Sequence, residues 1–403
     1  MKAQKLKGFK DYLPEEMILR NHILNLLKET FESFGYEPFE TPALEYTEVI
    51  LGKSGKENDK LIYSFKDRGN RDISLRYDLT VPLARFISEN KNISKPFKRY
   101  QIGKVWRADK PQKGRYREFE QADIDVIGSD SFLIEIELIL AFSKFLNKLN
   151  LSSYVIQINS REILQNALNT SGIKKEDWVS CVQSIDKIDK IQEDGVILEL
   201  EEKGFKNAKE IIENIKNSTP DLNLEKTIKI LKTLVGNNHI VFDPFLARGH
   251  DYYTGTVFEI TVPGLGYGSF AGGGRYDNLL ENIGGDKIPA CGISLGIDRF
   301  MDILKEIKKE MFSKTVIDVS VIGFEEKDLL DVFQFTNKLI DKNINCEIYS
   351  NYDKKLEKQL KFVDQKNIQF ALIFQKEKIL KDLKNRKEYI VKTPEDIFDI
   401  IFK

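Results

Sequence analysis

The sequence is poor in cysteine and histidine. Its 403 residues include three cysteines and three histidines. The cysteines, Cys181, Cys291 and Cys346, are far apart and odd in number, so they form neither a disulfide framework nor a zinc-site spacing. This usage is typical of proteins of the reducing cytosol, and we expect a cytoplasmic chain with no metal site built from protein ligands.

Long apolar runs and an excess of one charge are also lacking. The stretch MKAQKLKGFKDYLPEE has no apolar core, and no apolar run reaches about 18 residues, so neither a signal peptide nor a membrane span is predicted. Lys and Arg number 62 against 63 Asp and Glu. Any nucleic-acid binding must therefore come from local patches. The length allows two or three domains.

The strongest local patch lies in residues 104–117. It holds six basic residues and one acid, Asp109, and Pro111 and Gly114 mark its tip as a loop. Extended runs precede and follow it, and residues 123–127 alternate in the manner of a half-buried strand. Arginines on a rigid strand pair suit phosphate groups, whereas the alternative interpretation is an ordinary solvated loop. The basic residues are Lys104, Arg107, Lys110, Lys113, Arg115 and Arg117.

The flanking segments predict an α+β chain. Helical spacing extends from Pro14 to Phe34, and strand signals follow through residues 35–50, broken by prolines. Asp78 and Thr80 stand where a strand passes into a helix, so they are interpreted either as helix caps or as ligand-binding residues. Residues 161–238 are charged and helical, which predicts an inserted helical module. Residues 315–403 alternate strand and helix, which predicts a small α/β domain with a parallel sheet.

Three glycine-punctuated segments carry the densest polar chemistry. They are LARGHDYYTGTVFEITV (246–262), GYGSFAGGGRYDNLL (266–280) and ACGISLGIDRFM (290–301). Glycine lets the backbone approach a ligand closely. The GGGRYD run does not fit the phosphate-binding P-loop pattern. His250 has no visible metal or triad partner and is interpreted as a packing residue.

These segments together resemble one enzyme family. RADKPQKGRYREFEQ resembles motif 2 of the class II aminoacyl-tRNA synthetases in its histidyl-tRNA synthetase form. The segments at 246–262 and 266–280 resemble the two histidine-specific signature motifs, and 290–301 resembles motif 3. The N-terminal helix and proline-containing strand resemble motif 1, which builds the dimer interface in class II synthetases.

The resemblance implies a domain organisation and a reaction. Residues 1–160 and 239–312 would form a catalytic domain on an antiparallel sheet, residues 161–238 a helical insertion, and residues 315–403 an α/β anticodon-binding domain. The implied activity is histidine–tRNA ligation by a homodimer. ATP, with Mg²⁺, would convert histidine to histidyl-adenylate, and the histidyl group would pass to the 3′ end of tRNA(His).

The resemblance also assigns roles to single residues. Those implied as catalytic are Arg107, Arg248 and Arg299. Those implied to bind ATP are Arg107, Asp109, Arg115, Phe119 and Arg299. Those implied to bind histidine are Asp78, Thr80, Arg107, Gln121, Asp125, Arg248, Tyr252, Tyr253 and Tyr276. Gln112 and Arg117 are implied to contact tRNA.

Two interpretations other than a ligase are considered, and both are non-catalytic relatives of the family. One is the non-catalytic regulatory paralogue that partners ATP phosphoribosyltransferase, and the other is a synthetase-like sensor of uncharged tRNA. The first typically lacks the C-terminal domain and loses the signature residues, and the second usually adjoins a kinase. This sequence keeps the domain and the signatures and has no kinase, which favours the ligase. It departs from the family after residue 374, where Gln375 takes the place of a glycine.

Overall fold

The computed structural model describes residues 3–52, 61–247, 252–308 and 313–402. Its helices are α1 Pro14–Ser33, α2 Thr47–Leu51, α3 Thr80–Glu89, α4 Leu133–Lys148, α5 Arg161–Thr170, α6 Trp178–Ile185, α7 Ile188–Glu202, α8 Ala208–Lys216, α9 Leu222–Val235, α10 Leu279–Asn282, α11 Ile297–Ile307, α12 Leu329–Ile340, α13 Leu356–Gln365 and α14 Pro394–Phe402. Within these ranges no helix is both long enough and apolar enough to cross a membrane.

The strands are short except for one central pair. They are β1 Glu37–Pro38, β2 Leu44–Tyr46, β3 Ser64–Lys66, β4 Asp72–Leu75, β5 Phe97–Trp106, β6 Glu118–Ile127, β7 Val155–Ser160, β8 Ile240–Phe242, β9 Thr256–Thr261, β10 Ala271–Arg275, β11 Ala290–Gly296, β12 Val319–Ile322, β13 Cys346–Ile348, β14 Phe370–Ile373, β15 Lys378–Asp382 and β16 Lys387–Val391.

The chain divides into two compact units. The first comprises Met1–Asp11 and Ile23–Lys308, and the second comprises Tyr12–His22 and Lys309–Lys403. The expected helical insertion falls inside the first unit, where residues 161–235 form α5 to α9. Its apolar side chains pack on one another, with Cys181, Leu200 and Ile211 fully buried. The functional names given to the domains stay predictions.

The first unit is built on an eight-stranded sheet of order β1-β5-β6-β11-β10-β9-β7-β8. Its inner pairs, from β5 through β7, are antiparallel, and the two edge pairs, β1 with β5 and β7 with β8, are parallel. This confirms the antiparallel sheet that the resemblance implies for this part of the chain. Close pairing of β10 with β11 requires glycine, since a Cβ on Gly273 would lie 2.0 Å from the carbonyl oxygen of Gly292.

The long hairpin of β5 and β6 confirms the predicted strands and the loop between them. The prediction that the second strand is half-buried is wrong, because Gln121 to Ile127 are all buried. One face of the sheet packs against α4 and α11, and the polar residues of β6 point to the opposite face, as alternation in a strand requires. The alternation of Asp and Ile therefore indicates a strand whose two faces are both buried, one polar and the other apolar.

The second unit has a five-stranded sheet of order β13-β12-β14-β15-β16. Its first three strands are parallel, which confirms that part of the prediction. The hairpin of β15 and β16 was not predicted, because KEKILKDLKNRKEYIV lacks an apolar repeat. Asp382 fixes the turn by accepting hydrogen bonds from the backbone of Lys384 and Asn385, and Arg386 has a positive φ of 55°.

Arg275 of the GGGRYD run joins the sheet to α4. Its Nε and Nη2 atoms lie 2.8 Å from the two carboxylate oxygens of Glu135, and its guanidinium also donates to the carbonyls of Ser129 and Ser131. The side chains of the pair are 10% and 3% exposed. Bidentate pairing with filled donor positions is the geometry in which a buried ion pair stabilises a fold.

We expect Arg275→Ala to destabilise the first unit by about 3–5 kcal/mol, because it leaves a buried carboxylate without its cation. Calorimetric melting should show a midpoint at least about 5 °C lower. Arg71→Ala is the matched control. It breaks the exposed pair with Asp67, and it should cost less than about 1 kcal/mol. Equal effects of the two substitutions would contradict the structural role of Arg275.

Candidate active site

A cavity of about 550 Å³ opens on the polar face of the eight-stranded sheet. Strands β6, β10 and β11 form its floor, and the loop of residues 107–117 forms one wall. Eleven of the fifteen residues predicted to bind ATP, histidine or tRNA line this cavity, although they come from distant parts of the chain. They are Thr80, Arg107, Asp109, Arg115, Phe119, Gln121, Asp125, Tyr252, Tyr253, Tyr276 and Arg299.

The wall of the cavity is cationic. The Arg107 Nε donates to the carbonyl of Tyr77 at 3.0 Å, and its guanidinium lies 5.2 Å from the centre of the Phe119 ring. The Arg299 Nε donates to the carbonyl of Gly114 at 3.1 Å and so holds the loop tip. Gly114 has a φ of +67°, which suits glycine at this tight turn. The wall thus presents arginines whose positions are fixed by backbone carbonyls.

The floor of the cavity is acidic and buried. Arg99 is fully buried, and its Nη2 lies 2.7 Å from an oxygen of Asp125. The Tyr276 hydroxyl donates to the other Asp125 oxygen. Burial raises the pKa of Asp125, whereas Arg99 and Tyr276 lower it by favouring the charged form. Burial also raises the pKa of the neighbouring Asp123 to about 7, which Arg99 opposes and Asp125 reinforces.

Asp78 can serve both as a helix cap and as a ligand-binding residue, the two roles that the sequence suggests. Its Oδ1 accepts hydrogen bonds from the backbone of Thr80 and Val81, at 3.2 and 2.9 Å, and so caps α3. Its Oδ2 is buried, with no hydrogen-bond partner among the described residues. A buried carboxylate oxygen without a donor is costly unless a ligand supplies one. The cap and a ligand contact are therefore compatible.

Gln121 and the tyrosines complete the floor. The Gln121 Nε2 donates to the Ser294 hydroxyl, and its Oε1 is buried without a partner in the described part of the chain. The rings of Tyr252 and Tyr253 lie 4.8 Å apart, and Tyr252 meets Tyr276 edge-on at 5.9 Å. These rings enclose an apolar slot over polar atoms, a setting that suits a flat polar ring such as an imidazole.

Four predicted residues do not line the cavity or cannot be placed there. Arg248 lies outside the described residues, as does His250. Asp78 lies beneath the lining. Gln112 pairs with Arg115 across the loop turn. The Arg117 Nε donates to the carbonyl of Asp109 at 3.0 Å. The backbone N–H of Arg117 donates to the carbonyl of Gly8 at 2.8 Å, so Arg117 contacts the N-terminal segment.

Sequence reasoning missed several residues of this site. Arg99 carries the buried positive charge that pairs with Asp125. Asp123 and Ser294 line the floor of the cavity. The sequence gives little signal for Arg99, because β5, FKRYQIGKVW, also contains Lys98, Gln101 and Lys104. Asp186 and Lys190, in the VQSIDKIDKI run, bring the helical insertion to the cavity, and no pattern in the sequence indicates that they lie there.

The two sides of the cavity have opposite chemical preferences. Fixed arginines beside an aromatic ring suit a nucleotide with its phosphates, since arginine neutralises phosphate charge and the ring stacks on a base. Buried carboxylates and an unpaired amide oxygen suit an ammonium group and a ring N–H. A cationic amino acid could therefore lie on the floor with its carboxylate toward Arg107, next to the phosphates.

Comparisons with known proteins identify the family. A family model described as histidyl-tRNA synthetase matches residues 8–300. Histidine–tRNA ligases of Treponema denticola and Cytophaga hutchinsonii are 37% and 36% identical to the chain. Each alignment covers 95% of this chain, and 94% and 95% of the relatives. A crystal structure of histidyl-tRNA synthetase from Nostoc sp. PCC 7120 matches with a TM-score of 0.86 at 28% identity, covering 100% of this chain and 99% of that one.

The two aligned ligases and the Nostoc structure cover nearly the whole chain, so they span both the eight-stranded sheet and the C-terminal unit, whereas the family model ends at residue 300. The ligase is favoured over the non-catalytic regulatory paralogue, because relatives named as ligases align along nearly the whole chain. The chain therefore belongs to the histidyl-tRNA synthetase family, and it is an aminoacyl-tRNA synthetase.

Proposed function

We propose that the cavity activates histidine with ATP, forming histidyl-adenylate, and then transfers the histidyl group to the 3′ end of tRNA(His). One observation carries this proposal: a cationic wall and an acidic floor share a single cavity lined by eleven residues with implied roles in that reaction. The arrangement supports two adjacent substrates of opposite character, a polyphosphate and an ammonium-bearing amino acid.

The wall accounts for the first chemical step. A carboxylate oxygen of histidine attacks the α-phosphorus, a new P–O bond forms, and the bond to the bridging oxygen breaks as pyrophosphate leaves. Such a step needs alignment and charge neutralisation more than covalent help from the protein. Arg107 would hold the α-phosphate and the attacking carboxylate, while Arg299 and Arg115 would hold the γ-phosphate. Arg248 would add a further cation.

Mg²⁺ would accompany the nucleotide. Among the described residues no cluster of three or more carboxylate, imidazole or thiol side chains could hold an ion by itself. Mg²⁺ is commonly bound through substrate phosphates with one or two carboxylates. Glu259 and Asp298 line the cavity and offer such oxygens, so they are the residues that would contact it. The ion supplies charge neutralisation when it is bound.

The floor accounts for the choice of amino acid. Asp125 and Tyr253 would face the imidazole, with Tyr252 and Tyr276 beside it. Asp78, Thr80 and Gln121 would hold the α-amino group, a role supported by the two buried oxygens, Asp78 Oδ2 and Gln121 Oε1, that have no partner in the described chain. An analogue without the amino group or the ring nitrogens would leave these atoms unpaired, which is how such a site rejects it.

The remaining roles concern adenine, tRNA and assembly. Phe119 would stack on adenine with Asp109 near its amino group, while Gln112 and Arg117 would touch the tRNA acceptor end. The second unit would read the anticodon, and its basic segment from Lys354 to Lys387, with eleven basic residues against four acids, supports contact with a polyanion. We also propose a cytoplasmic homodimer, in keeping with three free cysteines.

The first test is histidine-dependent exchange between ATP and labelled pyrophosphate. We expect exchange with histidine and none above background with the other amino acids, because only histidine satisfies both ends of the acidic floor. Aminoacylation of tRNA(His) would then follow. A folded chain that exchanges no pyrophosphate at saturating histidine would contradict the proposed function.

Phe119→Ala tests the adenine site. We expect the KM for ATP to rise roughly tenfold to a hundredfold, because stacking on an aromatic ring contributes about 1–3 kcal/mol per base. The KM for histidine should change little. The control is Phe65→Ala, which removes a ring that is 48% exposed on β3 and should leave both constants unchanged. A shift in the histidine constant alone would place Phe119 at the wrong substrate.

Tyr276→Phe tests the imidazole site. The substitution removes the hydroxyl that donates to Asp125, and it leaves the ring in place. We expect the KM for histidine to rise roughly tenfold, because a buried acceptor loses its donor, with the KM for ATP unchanged. Tyr46→Phe, at a 49% exposed tyrosine of β2, is the matched control. Unchanged histidine kinetics in Tyr276→Phe would mean that its hydroxyl does not support recognition.

A further inference from the structure

Residues 6–10 precede the first helix and pack against the wall loop of the cavity, residues 107–117, although the two are far apart in the sequence. The last three residues of the segment are half-buried, and the Lys10 ammonium lies 5.7 Å from the centre of the Tyr116 ring. None of residues 6–10 lines the cavity, and no role in the reaction is implied for them. The segment therefore supports the loop from outside the cavity.

Arg117 joins this segment to the loop. Its backbone N–H donates to the carbonyl of Gly8 at 2.8 Å, and its Nη1 donates to the carbonyl of Lys7 at 3.4 Å. Its Nε donates to the carbonyl of Asp109 at 3.0 Å, and its own carbonyl accepts the backbone N–H of Arg107 at 2.9 Å. One residue thus connects the segment to Arg107 and Asp109, which both line the cavity.

The contact is so close that position 8 requires glycine. Gly8 has a φ of +87°, which residues with a side chain rarely adopt. A Cβ there would lie 2.8 Å from the Arg117 Cγ, 2.9 Å from the Arg117 Cδ and 2.9 Å from the Pro111 Cγ. The Arg117 stem cannot move aside without weakening its hydrogen bond to Asp109, and the proline ring is rigid. The loop therefore occupies the space that a side chain at position 8 would need.

Contact with tRNA, the role already proposed for Arg117, does not require this arrangement. Two of its guanidinium nitrogens donate to backbone carbonyls of two separate segments, at Lys7 and Asp109. Such bridging suits arginine, because its planar fork donates in several fixed directions at once. These hydrogen bonds give Arg117 a second role, within the wall of the cavity.

We propose that Lys7 and Gly8 form a positioning segment for ATP, which acts through Arg117 to fix Arg107 and Asp109 on the cavity wall. This inference rests on the proposed function, in which Arg107 holds the α-phosphate and Asp109 lies near adenine. The segment sets the place of two residues that contact the nucleotide, and it does not contact the nucleotide itself. Adenylate formation depends mainly on alignment, so a small displacement of the loop slows it strongly.

Gly8→Ala tests the proposal in ATP–pyrophosphate exchange by the full chain, a reaction that involves no tRNA. We expect kcat/KM for ATP to fall roughly tenfold to a hundredfold, because the added methyl group displaces Arg117 or Pro111 and so misplaces the loop. The KM for histidine should stay unchanged, because the acidic floor belongs to β6, β10 and β11 rather than to the loop.

Gly204→Ala is the matched control. Gly204 follows α7 and has a φ of +93°, and no atom lies within 4 Å of the place where its Cβ would be. The substitution therefore adds the same kind of backbone strain without the contact. It should keep the ATP and histidine constants of the unsubstituted chain.

Arg117→Lys tests the link between the segment and the loop. The substitution keeps the positive charge and most of the stem, and it removes the fork that reaches two carbonyls. We expect kcat/KM for ATP in pyrophosphate exchange to fall in the same direction as in Gly8→Ala. A residue that served tRNA alone would leave this exchange unchanged and would affect only aminoacylation.

Three results would overturn the proposal. Gly8→Ala could match Gly204→Ala in its ATP constants, Arg117→Lys could exchange pyrophosphate as well as the unsubstituted chain, or Gly8→Ala could raise the KM for histidine as much as that for ATP. Should Gly8→Ala fail to fold, Arg117→Lys still decides the matter. An unsubstituted chain that exchanges no pyrophosphate would instead contradict the proposed function.

Discussion

The ion pair between Arg99 and Asp125 is the constraint on which the active-site floor depends. Both side chains are almost fully buried, at 0% and 3% exposure. A buried carboxylate without a cation would take up a proton, and it could then no longer serve as a fixed acceptor at neutral pH. Arg99 comes from β5 and Asp125 from β6, and the register of this strand pair places the two opposite charges side by side.

This pair also helps to explain how a cluster of acids can remain buried on one side of the cavity. In addition to the effect of burial, Asp125 raises the pKa of both Asp78 and Asp123, whereas Arg99 lowers the pKa of Asp123 and Asp125 and Arg107 lowers that of Asp78. These three acids outnumber the buried arginine that is paired with Asp125, and this deficit of positive charge favours a cationic ligand. The loop arginines line the same cavity, so in the proposed function the phosphates would meet cations while the ammonium group would meet carboxylates. This separation of charge would orient both substrates before any bond forms.

Much of the fold could be predicted, and eleven of the named residues line one cavity, because the glycine-rich and arginine-rich segments carry their own signals. Arg99 could not be predicted, since its role follows from the register of β5 against β6, which places it opposite Asp125. The alternation on β6 predicts a half-buried strand, although both faces are buried, because alternation cannot distinguish water from a polar cavity. The hairpin of β15 and β16 escaped because charged residues occupy both strands, and because Arg386 takes a turn conformation usually given to glycine or asparagine.

Strand β6 combines apolar residues on one face with polar residues on the other, and each face has its own function. Ala122, Ile124 and Val126 pack toward the helices and fix the strand, whereas Gln121, Asp123 and Asp125 face the cavity. A loop could present the same polar atoms, but its backbone would not hold them at constant spacing. Because side chains on one face repeat at every second residue, the strand sets the separation between Gln121, proposed to hold the amino group, and Asp125, proposed to face the imidazole. If both roles hold, the pleat of the sheet matches the length of the amino acid, and Asp123 occupies the position between the two.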